Sequence, residues 1–257
     1  MNLSSTIAGT GPTIVLLHAF PLSRLMWSES VASLQADFRV VAPDLPGFGN
    51  SAPGTQEFTM EACADHVEQL LRPMDIQEQI ILLGISMGGY ISFEFLRKYA
   101  DRVRALVLVA THPHPDTEAI RQARFETAEF VQTRGSTLLA ERMIPKLLGR
   151  TSLQLNSPLV ERVRAWIAET PAESIASGCF ALASRRDSVP VLPGISVPTL
   201  VIGGEEDVLV STEQIRRLHQ SIEKSTCAIV PASGHLVNLE QPEAFCNLVR
   251  EFSTVLH

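Results

Sequence analysis

The stretch Gly84-Ile85-Ser86-Met87-Gly88-Gly89 follows the apolar run Ile80 to Leu83 and precedes a segment, Tyr90 to Tyr99, that can form a helix. We therefore predict a strand, a sharp turn and a helix, with Ser86 at the tip of the turn. The glycines beside the serine lack the Cβ atoms that would clash if Ser86 took a strained backbone conformation. Such a turn presents the serine hydroxyl above the sheet. The N–H of Met87, at the positive end of the helix dipole, would point toward a developing oxyanion.

Composition and charge exclude several classes of protein. The chain has 257 residues and a net charge of −7, without a run of Lys or Arg, so neither nucleic acid nor an anionic membrane surface is an expected partner. No apolar stretch approaches the roughly 18 residues of a transmembrane helix, and Met1 to Gly9 is too short and too polar for a signal peptide. The cysteines form no Cys-x-x-Cys pair, which argues against a zinc or redox site and predicts reduced thiols and a cytoplasmic location: Cys63, Cys179, Cys227 and Cys246.

Short apolar runs alternate with helical segments along most of the chain. Each run is rich in Val, Ile and Leu, as in strands that are buried on both faces of a parallel sheet. The predicted strands are Thr13–His18, Phe38–Ala42, Ile80–Leu83, Val103–Ala110, Thr199–Gly203 and Cys227–Val230. The predicted helices between and after them are Trp27–Leu34, Thr59–Leu71, Tyr90–Tyr99, Thr212–Ser221 and Pro242–Val255. This alternation predicts an α/β fold with a doubly wound, mostly parallel sheet and helices on both faces.

The alternation stops after Thr111. Residues 112–193 contain no convincing strand, only helical stretches interrupted by glycine and proline: Glu118–Thr133, Thr137–Leu148, Leu159–Glu169 and Glu173–Ala183. We interpret this segment as a helical insertion. The core domain would then consist of residues 1–111 and 194–257.

Polar residues follow the apolar runs at the positions where ligands bind in such a sheet, outside the carboxyl ends of the strands. Ser86 follows one run, Asp207 another, and His235 the last. A serine hydroxyl is a weak nucleophile until an imidazole takes its proton, and the imidazole needs a carboxylate to fix its tautomer. The chain order Ser, Asp, His is the order of the α/β-hydrolase fold. Because Glu205 and Glu206 share the loop of Asp207, the acid could be displaced by a residue or two.

The sequence resembles the α/β-hydrolase superfamily over nearly its whole length. The motifs that carry the resemblance occur in the family's order: His18-Ala19-Phe20-Pro21, Asp44-Leu45-Pro46-Gly47-Phe48-Gly49-Asn50-Ser51, Gly84 to Gly89, Gly204-Glu205-Glu206-Asp207 and Gly234-His235. The resemblance implies Ser86 as nucleophile, His235 as general base and Asp207 as its orienting carboxylate. It also implies oxyanion donors from the backbone N–H groups of Phe20 and Met87, and a helical cap from residue 112 to about residue 190.

Two departures from the family pattern stand out: His18-Ala19 replaces the common His-Gly, and the run Val208 to Ser211 lacks a proline. We expect Ala19 to tune the acyl side of the site. His18 is expected to support the oxyanion loop by hydrogen bonding, and the loop from Asp44 to Ser51 to be a structural turn in which glycines supply unusual backbone angles.

Two further patterns are ambiguous. The segment His112-Pro113-His114-Pro115-Asp116 alternates metal-ligating residues, but its prolines and the lack of another ligand cluster favour a stiff hinge into the insertion. Four aromatic residues are either pocket or core residues: Trp27, Phe125, Phe130 and Trp166.

Together these patterns predict a serine hydrolase that needs no cofactor or metal and cleaves carboxylic esters through an acyl-enzyme on Ser86. The expected partner is a small-molecule ester or lactone, and the expected state a monomer or small homo-oligomer. An enol-lactonase, like those acting on 3-oxoadipate enol-lactone, is the closest alternative. A carbon–carbon bond hydrolase, a lyase and a small-ligand receptor that retains the triad also remain open.

Overall fold

A computed structural model of the chain describes residues 3–54, 57–74, 76, 78–155 and 158–254. Its centre is a seven-stranded sheet in the order β1-β3-β2-β4-β5-β6-β7. The strands are β1 (Ser5–Ala8), β2 (Thr13–Leu17), β3 (Arg39–Pro43), β4 (Ile80–Ile85), β5 (Val103–Val109), β6 (Thr199–Gly204) and β7 (Ser225–Val230). Strands β2 to β7 pair in parallel, which confirms the predicted doubly wound sheet.

Strand β1 was absent from the sequence-based prediction. It pairs antiparallel with β3, Ser5 opposite Pro43, at the edge of the sheet. The strand has only four residues, all partly or fully exposed, so it lacks the continuous apolar run that marks the buried strands. Its position depends on pairing with β3, which lies more than 30 residues away in the sequence.

Helices cover both faces of the sheet. Those of the core are α1 (Ser28–Leu34), α2 (Met60–Leu71), α3 (Met87–Tyr99), α9 (Thr212–Gln220), α10 (Val237–Glu240) and α11 (Pro242–Thr254). The predicted helices differ from these by one to three residues at their ends, the largest difference being the start of α3, and the short α10 was not predicted. The predicted end of the last helix, Val255, lies outside the described residues. Within the described ranges, no helix is both long enough and apolar enough to span a bilayer.

Five α-helices lie between β5 and β6, with no strand among the residues described there: α4 (Glu118–Arg134), α5 (Ser136–Leu147), α6 (Arg150–Gln154), α7 (Pro158–Glu169) and α8 (Ala172–Ser184). Helix α4 packs along α8, and α5 packs along α7. The short α6, which begins after Gly149, was not predicted as a separate helix.

Two apolar cores lie on opposite faces of the sheet. Successive residues of β2 alternate between them: Val15 and Leu17 belong to one core, Ile14 and Leu16 to the other. This is the two-residue period of a strand, and both sets are fully buried, so the run looks uniformly apolar in sequence. The parallel strands direct their carboxyl ends to one edge, where the loops that carry the candidate residues meet.

Candidate active site

Ser86 occupies the turn between β4 and α3 with φ 53° and ψ −113°. A non-glycine residue at positive φ carries strain of about 1–3 kcal/mol and persists only where its surroundings fix it. Here the N–H of Ser86 donates to the carbonyl of Val109 at 2.9 Å, and the hydroxyl of Thr111 donates to the carbonyl of Ser86 at 3.1 Å. The end of β5 therefore holds the serine in its strained conformation.

The glycines around Ser86 are needed for close approach and not for positive φ. A Cβ atom on Gly84 would lie 2.3 Å from the carbonyl oxygen of Gly88, and one on Gly88 would lie 2.3 Å from the carbonyl oxygen of Leu17. A Cβ atom on Gly89 would lie 2.5 Å from the Thr111 hydroxyl. Since real Cβ contacts of this length do not occur, any side chain here would separate α3 from the sheet.

His235 and Asp207 form a buried pair at the same edge of the sheet. The Nδ1 atom of His235 lies 2.8 Å from Oδ2 of Asp207, and both side chains are almost fully buried. Because a carboxylate only accepts hydrogen bonds, the proton of this pair resides on Nδ1 and Nε2 is left as the basic nitrogen. The other oxygen, Oδ1, accepts from the N–H groups of Leu209 at 2.8 Å and Val210 at 3.1 Å.

The other two carboxylates of this loop point elsewhere. Glu206 accepts hydrogen bonds from the N–H of Thr151 at 2.8 Å and its hydroxyl at 2.7 Å, and pairs with Arg150. Glu205 is exposed and lies 3.5 Å from the N–H of Ala232. Of the three acids in this loop, Asp207, the one that the sequence analysis favoured, contacts His235.

Ser86, His235 and Phe20 line one cavity of about 460 Å³. Its walls come from the helices between β5 and β6 and are largely apolar, with Phe130 and Leu139 on two of these helices. The other aromatic residues considered as pocket candidates do not line this cavity. Trp27 is fully buried in the core, with its ring 6.0 Å from that of Phe245.

The two candidate oxyanion donors have free N–H groups. Neither the N–H of Phe20 nor that of Met87 donates a hydrogen bond to another atom of the described residues. Met87 is the first residue of α3, and the first N–H groups of a helix have no partner within it. A free N–H at each position is what an oxyanion would require.

His18 joins two loops beside the cavity. Its Nδ1 atom donates to the carbonyl of Ala19 at 3.0 Å, and its Nε2 atom accepts from the N–H of Leu45 at 3.0 Å. These contacts require the neutral ring, and complete burial lowers the pKa of His18 to about 4. The side chain thus fixes the Phe20 loop by hydrogen bonding, as the sequence analysis expected.

The loop from Asp44 to Ser51 is a structural turn. The buried carboxylate of Asp44 accepts from the N–H of Arg24 at 2.7 Å and of Asn50 at 2.8 Å, and pairs with the Arg24 guanidinium. Gly49 has φ 54°, and a Cβ atom there would lie 2.3 Å from the Asp44 carboxyl group. The predicted role of the loop glycines is confirmed at Gly47, with φ 79°, and at Gly49.

The segment from His112 to Asp116 participates in contacts to protein groups. Nε2 of His112 lies 3.2 Å from the hydroxyl of Tyr90, and Asp116 pairs with Arg185 at 2.6 Å and Arg124 at 3.2 Å. Burial, and next the charge of Arg185, lower the pKa of His112 to about 4. In the part of the chain that the structure describes, no three His, Cys, Asp or Glu residues are grouped to hold a metal ion.

Sequence reasoning missed Glu240, which connects the His235 loop to α6. Its carboxylate accepts from the N–H of Gly234 at 2.8 Å, the N–H of Gly149 at 2.7 Å and the hydroxyl of Ser152 at 2.8 Å. Burial raises the pKa of Glu240. The one signal in the sequence is an acid five residues after His235, directly after the segment Leu236 to Leu239.

Comparison with known proteins identifies the family. The sequence profile described as alpha/beta hydrolase fold matches residues 12–242. A thermophilic esterase from Thermogutta terrifontis, whose structure was solved with malate bound, is 37% identical with a TM-score of 0.96 and covers 99% of this chain and 94% of its own. The 3-oxoadipate enol-lactonase 1 of Acinetobacter baylyi is 30% identical over 98% of this chain and 92% of its own. The pimeloyl-[acyl-carrier protein] methyl ester esterase of Aeromonas hydrophila is 28% identical over 98% and 99%.

Proposed function

The chain belongs to the α/β-hydrolase family, and we propose that it hydrolyses carboxylic esters through an acyl-enzyme formed on Ser86. The observation that carries this proposal is the buried contact of Asp207 with His235, at 2.8 Å, in a site where Ser86 and His235 line one cavity. A strained serine, a neutral imidazole with a free Nε2 and an orienting carboxylate are the groups that nucleophilic acyl transfer requires.

In the first half of the reaction, Oγ of Ser86 attacks the ester carbonyl carbon while Nε2 of His235 takes the hydroxyl proton. The negative charge that develops on the carbonyl oxygen is stabilised by the N–H groups of Phe20 and Met87, and each such donor is worth about 3 kcal/mol. The tetrahedral intermediate then collapses. The bond to the alcohol oxygen breaks, and the imidazolium returns its proton to that oxygen, which leaves the acyl group on Ser86.

In the second half, a water molecule replaces the alcohol. His235 removes a proton from the water, whose oxygen attacks the acyl carbon, and the same two N–H groups stabilise the oxyanion. Collapse of the intermediate breaks the bond to Oγ, returns the proton to Ser86 and releases the acid. Asp207 remains ionised throughout and holds the imidazolium in place.

Residues 112–193 act in this proposal as a cap on a core formed by residues 1–111 and 194–257. Helices α4, α5 and α8 contribute side chains to the cavity that contains Ser86, including Ala123, Met143 and Leu182. The length and shape of the acyl chain would therefore be selected by cap residues, whereas the chemistry would be performed by core residues.

Hydrolysis of a lactone is the second candidate reaction. It is favoured by the likeness to the Acinetobacter baylyi enol-lactonase, which is 30% identical to this chain, against 28% for the methyl ester esterase. A lactone is an internal ester, so the same groups would open it. The difference is that the alcohol stays attached to the acyl chain and must remain in the cavity until water attacks.

The test is hydrolysis of p-nitrophenyl acetate, butyrate and octanoate by the wild type and Ser86→Ala, with labelling by a fluorophosphonate. Ser221→Ala, which removes an exposed hydroxyl outside this cavity, is the matched control. We expect the wild type and the control to hydrolyse the ester of one chain length preferentially and to be labelled by the fluorophosphonate. Ser86→Ala should neither hydrolyse the esters nor be labelled. Labelling without ester turnover would favour the lactone, and failure to label Ser86 would refute the nucleophile.

A further inference from the structure

The cavity that contains Ser86 is lined by more basic than acidic side chains. Arg124, Arg142 and Lys146 line it, against Asp116 and Glu126. The chain as a whole has the opposite balance, with a net charge of −7. A positive site in an acidic protein raises the local concentration of anions at that site.

Asp116, one of the two acidic residues that line the cavity, contacts two guanidinium groups. Oδ1 of Asp116 forms an ion pair with Nη1 of Arg185 at 2.6 Å, and Oδ2 accepts a hydrogen bond from Nε of Arg124 at 3.2 Å. Arg185 is only 3% exposed and donates further to the carbonyls of Leu182 at 2.8 Å and His114 at 3.0 Å. One carboxylate thus faces two cations, and Arg185 is the one that is inaccessible.

Arg124 remains open to the cavity. Its side chain is 29% exposed, and only its Nε atom has a hydrogen-bond partner, while the two Nη groups donate to no atom of the described residues. Asp116 therefore orients the guanidinium and leaves its Nη edge free. Two parallel N–H groups at such an edge match the two oxygens of a carboxylate.

The two other cations of the cavity stand on α5, four residues apart and hence on the same face of the helix. Neither Arg142 nor Lys146 pairs with a carboxylate among residues that the structure describes. The guanidinium of Arg142 lies over the ring of Phe130, 3.5 Å from its centre, which leaves the positive charge uncompensated. Both residues are exposed, so they increase the positive potential at the opening.

We propose that Arg124 binds a carboxylate on the acyl chain of the substrate, so that the preferred esters are half-esters of dicarboxylic acids. The inference rests on the proposed function, whose site it extends. It adds a specificity residue in the cap, Arg124, that no sequence motif marks. Arg142 and Lys146 would attract the anion to the opening, and Arg124 would fix its position relative to Ser86.

The first test is a pair of substrates for each chain length: monomethyl succinate, glutarate and adipate, each compared with the methyl alkanoate of the same number of carbons. Liberated acid is titrated at constant pH. For the best chain length, we expect the wild type to favour the half-ester in kcat/KM by about 10- to 100-fold, the effect of a charge-assisted hydrogen-bonded pair. Arg124→Gln should bring this ratio close to one, and Arg124→Lys should retain part of it.

Arg121→Gln is the matched control, because Arg121 is exposed on the same helix, pairs with Glu118 and does not line the cavity. It should keep the wild-type ratio. Equal ratios in Arg124→Gln and Arg121→Gln overturn the inference, as does a wild-type ratio near one. Both results leave the proposed function intact, since the neutral esters are still hydrolysed.

The second test needs no turnover. Succinate, glutarate and adipate are titrated calorimetrically into the same variants, and the tightest-binding diacid should bind Arg124→Gln at least 10-fold more weakly than Arg121→Gln. The same affinity for both variants overturns the inference. If no ester is hydrolysed and Ser86 is not labelled, the proposed function fails, whereas this titration still decides whether Arg124 binds a carboxylate.

Discussion

Asp207→Asn tests the proposed role of the acid most directly, because the structure fixes the orientation of the new amide. Oδ1 of Asp207 accepts two N–H groups, from Leu209 and Val210. In the variant, the amide oxygen must keep this position, since an NH₂ group there would face two donors. The NH₂ group then faces Nδ1 of His235 and makes that nitrogen an acceptor. The ring proton is forced onto Nε2, the atom that takes the proton of Ser86 in the proposed mechanism.

The expected loss follows from this reversal of the tautomer. An asparagine that imposes the wrong tautomer in a serine triad lowers kcat by about 10⁴-fold. This corresponds to about 5.4 kcal/mol of transition-state stabilisation at 1.36 kcal/mol per tenfold change. The substitution preserves shape and both backbone hydrogen bonds, so we expect the variant to fold and to bind substrate with little change in KM.

The assay is the initial rate of p-nitrophenyl butyrate hydrolysis, with circular dichroism to establish that each variant is folded. Glu205→Gln makes the same chemical change on a neighbouring exposed carboxylate that does not contact His235. It should retain the wild-type rate. A folded Asp207→Asn with more than a tenth of the wild-type kcat would refute the assignment of Asp207.

Three predictions concern stability, each measured by urea unfolding. Gly88→Ala places a Cβ atom 2.3 Å from a backbone carbonyl oxygen and should lower the free energy of unfolding by about 3 kcal/mol. In the control, Gly194→Ala, the new Cβ atom meets no atom within 4 Å, and the loss should be under 1 kcal/mol. Equal losses in the two variants would contradict the close-approach argument. Asp116→Asn removes the charge between two guanidinium groups and should lower the free energy of unfolding by about 3–5 kcal/mol. Glu213→Gln, in an exposed ion pair, should lower it by less than 1 kcal/mol. A loss below 1 kcal/mol in Asp116→Asn would show that the ion pairs of Asp116 do not stabilise the fold. The pKa of His18 is near 4 in the folded protein and near 6.5 when unfolded, so below pH 6.5 the unfolded state takes up the proton first and stability falls. Between pH 6.5 and 5, the wild type should lose about 2 kcal/mol of its free energy of unfolding through this proton uptake, and His18→Asn should not. An equal loss in both proteins would refute the assignment of the low pKa to His18.

Much of the fold could be predicted from the sequence, since its strongest signals are local. Strands β2, β4 and β5 are buried on both faces and consist mostly of apolar residues, so each is evident from its own sequence. Strand β1 and helices α6 and α10 are short, and their apolar content is too small for a periodic signal. Contacts with distant parts of the chain stabilise these elements.

The sequence predicted in which loops the candidate site residues lie, but it did not predict the hydrogen bonds that these residues make. Ser86, Asp207 and His235 each follow a strand of the sheet, and parallel strands bring their carboxyl ends to the same side of the sheet. The choice of Asp207 over Glu205 and Glu206 depends on which side chain the loop directs toward His235, and on the N–H groups that Oδ1 accepts. Neither is encoded by spacing along the chain.

The six parallel strands, the strained turn around Ser86 and the order of the loops could be predicted from the sequence, because these features depend on residues within a few positions of one another. The residues of the helices between β5 and β6 that line the cavity of Ser86 are known only from the packing of these helices. Glu240 meets Gly149 across 91 positions, and the free edge of Arg124 depends on how α4 and α8 pack around Asp116. A hydrogen bond or ion pair forms over about 3 Å, and two side chains distant in sequence come that close only after helices and sheet have packed.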